Sequence, residues 1–369
     1  MIDARQELFT IVNKYMESTS APVCERLKTE LNYITQNENC AALFMAARGL
    51  ANLSRKLGYY TFLRGTTGSS LIAYLLGITE FDPLKYNLPV EVFTGLDGDK
   101  IPDIDMTFDE RFIPHAKKYM QDNFPDVTIW LFDDSNDNFG RFIFQGSMNK
   151  AKRSSENPSL WDISDVDRAN MIKLSFSDFT MCAKIKHLVD ITGIHTSKIP
   201  LDDAETFELI LNEGTYEFGS EFVRDVVKKT PPKTFDDLVK IFGVEHGTYI
   251  WSKWDDNTGK RLVSPEMPNY SEIIPFQDDL MLYLIDKGID KAAACGIMEH
   301  VRRGKALTAE HIDIMLIAGV PNWYIESCKT VKYLFPKAHG IAYAMMSFWL
   351  AWFKAHYPAE FQKGVEQKG

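Results

Sequence analysis

Two aspartates stand two positions apart in an apolar run, Asp103 and Asp105 in the stretch Gly98 to Phe108, GDKIPDIDMTF. In a β-strand, residues i and i+2 share a face, so this spacing predicts two carboxylates side by side with Ile104 and Met106 turned into the core. Adjacent carboxylates repel unless a cation sits between them. Hard oxygen donors at that range suit Mg²⁺, which takes one or two protein carboxylates and completes its shell with water and substrate phosphates. The chemistry to expect is phosphoryl or nucleotidyl transfer. An isolated D-x-D also arises by chance in an acidic chain, as a strand end with no such role.

A second motif lies upstream. Arg64 to Ser70 reads RGTTGSS, after the apolar run from Leu57 to Leu63 and before the helix-like run Leu71 to Leu76. A strand, a Gly/Ser/Thr turn and a helix start together form an anion-binding arrangement, with free N–H groups and a helix dipole facing a phosphate. Gly65 and Gly68 permit a tight turn. The hydroxyls of Ser69 and Ser70 can cap the helix or donate to phosphate. No Lys follows the second glycine, so this is not a Walker A loop.

A Gly-Ser cradle followed by D-x-D describes the nucleotidyltransferase site of a polymerase β-like palm. Tyr59 to Thr79 (YYTFLRGTTGSSLIAYLLGIT) and Glu91 to Phe108 (EVFTGLDGDKIPDIDMTF) resemble the palm of bacterial replicative DNA polymerase III alpha subunits of the PolC type. Five later segments resemble the fingers of the same C-family polymerases, in the same order: Gln277 to Gly288, Ile297 to Lys305, Val320 to Lys329, Lys332 to Tyr343 and Trp349 to Phe361. The last is closer to the other bacterial alpha-subunit branch.

The resemblance implies an α/β (α+β) fold, a polymerase β-like nucleotidyltransferase palm with a mainly helical fingers domain. It divides the chain into an N-terminal helical segment (residues 1–57) packed on the palm, the palm (58–200) and the fingers (201–369). It implies a DNA-directed DNA polymerase that uses two Mg²⁺ ions, with Mn²⁺ as a substitute, to join dNTP to a primer 3′-hydroxyl. Asp103 and Asp105 are the expected catalytic, metal-holding acids. Arg64, Gly68, Ser69, Ser70, Lys337 and His339 are the expected nucleotide contacts. Lys152, Arg153, His246, Arg302 and Arg303 are the expected nucleic-acid contacts. Primer–template DNA and dNTP are the expected partners, with replication proteins beside them; no sliding-clamp-binding tail is visible.

One departure bears on the chemistry. In Met171 to Phe179 (MIKLSFSDF) the resemblance places the third metal-binding carboxylate at Ser175. Asp178 is three residues on and reaches the same face only through a bulge. The alternative function is therefore a catalytically degraded homologue that binds nucleic acid or a replisome protein.

The rest of the chain bounds these readings. With 369 residues it holds two or three domains. A net charge of −10 argues against a basic footprint over the whole surface, though not against a local one. Five scattered cysteines include no CxxC pair, as expected of reduced core thiols in a cytoplasmic protein. The apolar run Ile341 to Phe353 is too short to span a bilayer and reads as a buried helix. Val127 to Phe132 reads as a buried strand beside the D-x-D strand, and Asp133 to Gly140 (DDSNDNFG) as a solvated turn lacking the glycine and glutamate of an EF-hand. Plainer roles stay open for Arg302, Arg303 and Lys305 as helix C-terminal charges, and for His246 as a turn cap. Tyr343, Trp349, Trp352 and Phe353, at helical spacing, read as core.

Overall fold

The computed structural model describes residues 3–133, 136–145, 152–153, 161–162, 171–245, 252–255, 260–263 and 275–366. The chain divides into two compact units, Met1–Lys186 and His187–Gly369. The division comes soon after the last strand of the main sheet.

Unit 1 begins with three helices, α1 (Ala4–Met16), α2 (Ala21–Thr35) and α3 (Glu38–Lys56). Asp3 and Asn37 cap α1 and α3 with side-chain oxygens, and Pro22 sits in the first turn of α2, where a missing N–H costs nothing. The strand β1 (Thr61–Arg64) leads through a 3₁₀ turn, Thr66–Ser69, into the short helix α4 (Leu71–Leu75). After α5 (Val90–Thr94) come β2 (Asp103–Phe108), α6 (Ile113–Asn123), β3 (Thr128–Asp133) and β4 (Asn136–Gln145). Two short strands, β5 (Lys152–Arg153) and β6 (Trp161–Asp162), pair with each other. Then β7 (Ile172–Asp178) runs into α7 (Thr180–Thr192), which crosses the division between the units.

The main sheet has five strands in the order β1-β2-β7-β4-β3. β2 is antiparallel to β1 and parallel to β7; β7 is antiparallel to β4, and β4 to β3. Alternation along β2 puts Ile104, Met106 and Phe108 into the core, each fully buried. One continuous core joins them to Leu174 and Phe176 of β7 and to Leu31, Phe44 and Leu50 of the opening helices. Residues 1–57 thus form part of the same packed unit as the sheet, which fixes the strand bearing the aspartates against α2 and α3.

Two expectations are corrected here. Among the described strands, residues 128–133 lie at the sheet edge, paired only with β4, and do not adjoin the D-x-D strand. Ile129, Trp130 and Leu131 are only partly buried, because an edge strand is covered less than a central one. The acidic segment after it is not a simple solvated turn: Asn136 to Gly140 opens β4 and pairs with β3 and β7. Residues 134–135 lie outside the described residues.

Unit 2 is mostly helical: α8 (Ala204–Asn212), α9 (Glu221–Lys229), α10 (Phe235–Gly243), α11 (Gln277–Asp286), α12 (Lys291–Arg302), α13 (Ala309–Ile317), α14 (Asn322–Thr330), α15 (Lys337–His356) and α16 (Pro358–Glu366). A small hairpin, β8 (Ser252–Asp255) with β9 (Lys260–Val263), interrupts them. α15 carries the apolar run; Ile341, Met346, Phe348, Leu350 and Phe353 are wholly buried. No helix among the described residues is long and apolar enough to cross a membrane.

Candidate active site

The two aspartates share one face of β2, as their spacing requires. Asp103, at the exposed start of the strand, accepts a hydrogen bond at 3.0 Å from the ammonium of Lys173 on β7. Asp105, one step deeper, accepts one at 2.9 Å from the Arg64 guanidinium on β1, and Arg64 also donates to Ser177 Oγ at 3.1 Å. Burial pushes the Asp105 carboxyl up; Arg64 pulls it back, and Asp103 adds to the rise. Each acid therefore carries a cation supplied by a neighbouring strand.

The Gly-Ser turn reaches the same place. Thr67 Oγ1 donates to the backbone carbonyl of Asp103 at 2.8 Å. Gly65 opens the turn with φ of 80°, a left-handed conformation that favours glycine. Gly68 and Ser69 are buried within the turn. The Ser69 hydroxyl is fully enclosed and has no hydrogen-bond partner among the described residues.

Ser70 caps α4, one of the two roles its hydroxyl is expected to take. Its hydroxyl donates to Glu30 Oε2 at 2.7 Å and accepts from the Ala73 N–H at 3.1 Å. The Glu30 carboxylate also accepts the N–H groups of Leu71 and Ile72, each at 3.0 Å. The start of α4 is thus satisfied by a buried carboxylate of the chain itself. Arg26 locks the arrangement. It donates to Glu30 Oε1 at 2.6 Å, to the Ser69 carbonyl at 2.6 Å and to the Leu88 carbonyl at 3.2 Å. The Arg26–Glu30 spacing of i,i+4 was a visible signal, but its long-range partners were not.

The missing third acid is a matter of register. In the parallel β2–β7 pair, Asp103 stands opposite Lys173, Asp105 opposite Ser175 and Phe108 opposite Asp178, without a shift. No bulge in this pair brings Asp178 into register with Asp105. On the other side of β7, Ser175 stands opposite Arg141. Among the described residues no group of three or more His, Cys, Asp or Glu side chains comes together as a metal site. The donor set of Asp103 and Asp105 fits one magnesium ion completed by phosphates and water. Among the described residues no third acid joins them.

Lys337, His339, Arg302 and Arg303 belong to unit 2. Lys337, in unit 2, is half-buried with its ammonium 3.4 Å from Asp279 and 3.6 Å from Asp236. His339 lies against the rings of Phe335 and Tyr343 at 4.9 and 4.8 Å. Arg302 makes two hydrogen bonds to Glu299, at 2.8 and 2.7 Å, and Arg303 lies 2.8 Å from the same carboxylate. Lys152 and Arg153 pair with Asp162 and Trp161 through the backbone. His246 lies outside the described residues.

The model of the bacterial DNA polymerase III alpha NTPase domain matches residues 5–130. That of the bacterial DNA polymerase III alpha subunit finger domain matches residues 178–321. The chain belongs to the bacterial DNA polymerase III alpha family. Its five-stranded unit is the polymerase β-like palm, and the family's finger domain falls in the helical region. Relatives named DNA polymerase III PolC-type from Caldanaerobacter subterraneus and Thermotoga maritima are each 31% identical over 92% of this chain. One of the same name from Staphylococcus aureus is 28% identical over 96% of it. The alignments cover 32%, 33% and 32% of those relatives, so the chain spans about a third of their length. Ser175 falls between the two matched ranges.

Proposed function

We propose that this chain provides the palm and fingers of a DNA-directed DNA polymerase that takes dNTP and primer–template DNA, and that its nucleotidyl transfer is slow. The observation that carries this reading is the Thr67 hydrogen bond to the Asp103 carbonyl, which ties the Gly-Ser turn to the acid pair. A triphosphate lying on the turn would then be within reach of both acids. Magnesium held by Asp103 and Asp105 would supply positive charge to the triphosphate. Arg64 and Lys173 hold the two carboxylates in place and add positive charge beside the same phosphates. The Glu30 carboxylate holds the start of α4, so the phosphates would meet the Gly65–Gly68 side of the turn. The primer hydroxyl would attack the α-phosphate in line, with pyrophosphate leaving. Ser175, in the place of a third acid, would leave that hydroxyl poorly activated. A role in replication is consistent with a cytoplasmic protein.

Primer extension with Mg²⁺ or Mn²⁺ tests the reading. Incorporation should be weak, and Asp103→Ala should abolish it. No incorporation at high protein concentration would reject the enzyme.

A second reading, a non-catalytic binder of nucleic acid or of a replication protein, is favoured by the Ser175–Asp105 pairing. It requires primer–template retention in a gel shift to survive Asp105→Asn; loss of all retention would remove it.

A further inference from the structure

Two histidines meet in unit 2 where α12 ends and α13 begins. The centroids of the His300 and His311 rings lie 4.5 Å apart, with the ring planes at 77°. Each ring has one nitrogen whose state is set by its partner. His300 Nδ1 stands 3.2 Å from the Gly296 carbonyl, which can only accept, so this nitrogen carries a hydrogen. His311 closes the capping box at the start of α13. Its backbone N–H donates to Thr308 Oγ1 at 3.1 Å, and its Nδ1 accepts from the Thr308 N–H at 3.5 Å. Glutamate or glutamine usually takes this place, with a side-chain oxygen as the acceptor. A histidine can accept here only while it is neutral.

A proton on His311 opposes the fold in three ways. It turns Nδ1 into a donor that faces another donor. It puts positive charge in the first turn of a helix, against the dipole. It brings that charge beside the His300 ring. Burial pushes His311 below its ordinary value of 6.5, His300 adds to the fall, and Glu310 on the same helix opposes it. Arg302 and Arg303, at the same end of α12, are held by Glu299. Lys305, between the two helices, donates its backbone N–H to the His300 carbonyl at 3.0 Å. Beyond the box, α13 has little to anchor it. Met315 alone of its nine residues is fully buried, while Leu316 is 51% and Ile317 88% exposed.

We infer that the His300–His311 pair is an acid-sensitive fastening: with both rings neutral it holds the first turn of α13 to the end of α12, and a proton taken up by His311 releases that turn. The contact contributes in full above the ordinary histidine value and loses its contribution as pH falls through the lowered one. Both histidines lie within the range matched by the family's finger domain. The fastening adds a local conformational response to pH there, and it stands whether or not the chain transfers nucleotides.

Hydrogen exchange of the full 369-residue chain tests this, read by mass spectrometry on peptides covering α13 and corrected for the intrinsic exchange rate at each pH. Between pH about 7.5 and about 5.5 the parent should lose about fivefold in protection, the scale of a lost helix cap. The loss should be confined to α13 and its flanks. His311→Gln keeps a capping-box acceptor without a titrating ring, so its protection should stay within about twofold across the range. His300→Gln removes the neighbouring ring and should move the midpoint of the loss to higher pH. Flat protection in the parent would overturn the inference, as would the parent's full loss in folded His311→Gln, or a loss spread equally over α11 and α15. Thermal melts check that each variant is folded. A histidine-selective NMR titration of the parent needs no variant: His311 should titrate below its ordinary value, and titration at or above that value would also overturn the inference.

Discussion

Ser175 stands directly opposite Asp105 in the parallel β2–β7 pair, with Arg141 opposite it on the far side. A carboxylate at this position would sit beside Asp105 and facing the Arg141 strand. Ser175→Asp is therefore expected to raise the rate of single-nucleotide incorporation by about a hundredfold, the scale on which one well-placed electrostatic group acts in a transition state. Rapid-quench measurement of one dNTP added to a primer reads this directly. A rate no higher than the parent's would show that the site is impaired for another reason.

Arg26 and Glu30 set the stability of the turn. Glu30 is wholly buried, with four hydrogen-bond donors converging on its two oxygens. Glu30→Ala leaves a largely buried guanidinium without its carboxylate and two backbone N–H groups without their acceptor. Breaking a buried pair from one side costs about 3–5 kcal/mol, so urea denaturation should show a loss of that size. Glu30→Gln should cost less, since its amide oxygen still accepts.

Asp278 makes the second unit sensitive to pH. It is fully buried and caps α15 by accepting the Lys337 N–H at 2.7 Å. Burial pushes its carboxyl up to about 7 from an ordinary value of 3.8, with Asp279 adding to the rise and Lys337 opposing it. Between those values the folded chain holds a proton that the unfolded chain has released. Stability from this group therefore falls as pH rises through that window and levels off above it. Asp278→Asn should remove this component and make the unit more stable than the parent at pH about 8. Thermal melts across the range check the sign, and a parent whose stability rises with pH through this window while Asp278→Asn stays flat would contradict it.

Lys337 lies among three acids. Burial opposes its charge, but Asp279 and Asp236 win and raise its ammonium above the ordinary lysine value. Lys337→Met should strip those carboxylates of their cation and lower stability by about 3 kcal/mol. If its main partner is instead a triphosphate, the same variant should keep its melting temperature and lose nucleotide affinity. A melt and a nucleotide titration on one sample tell the two apart.

Residue types and spacing by themselves determined the local pieces. A period of two placed Asp103 and Asp105 on one face of β2 and Ile104 and Met106 in the core, because that alternation belongs to the strand itself. Pro22 after Ser20 marked the start of α2, and the apolar run through Phe353 marked a buried helix, for equally local reasons. Only the tertiary structure decided which side chain meets which. The pairing of Asp105 with Ser175 depends on strand register across some seventy residues, which no local pattern specifies. Glu30 reaches Ser70 from a helix forty residues earlier, and Lys337 is bound by acids from two other helices. Hydrogen bonds and ion pairs act over a few ångströms of space, and folding alone brings such distant residues that close.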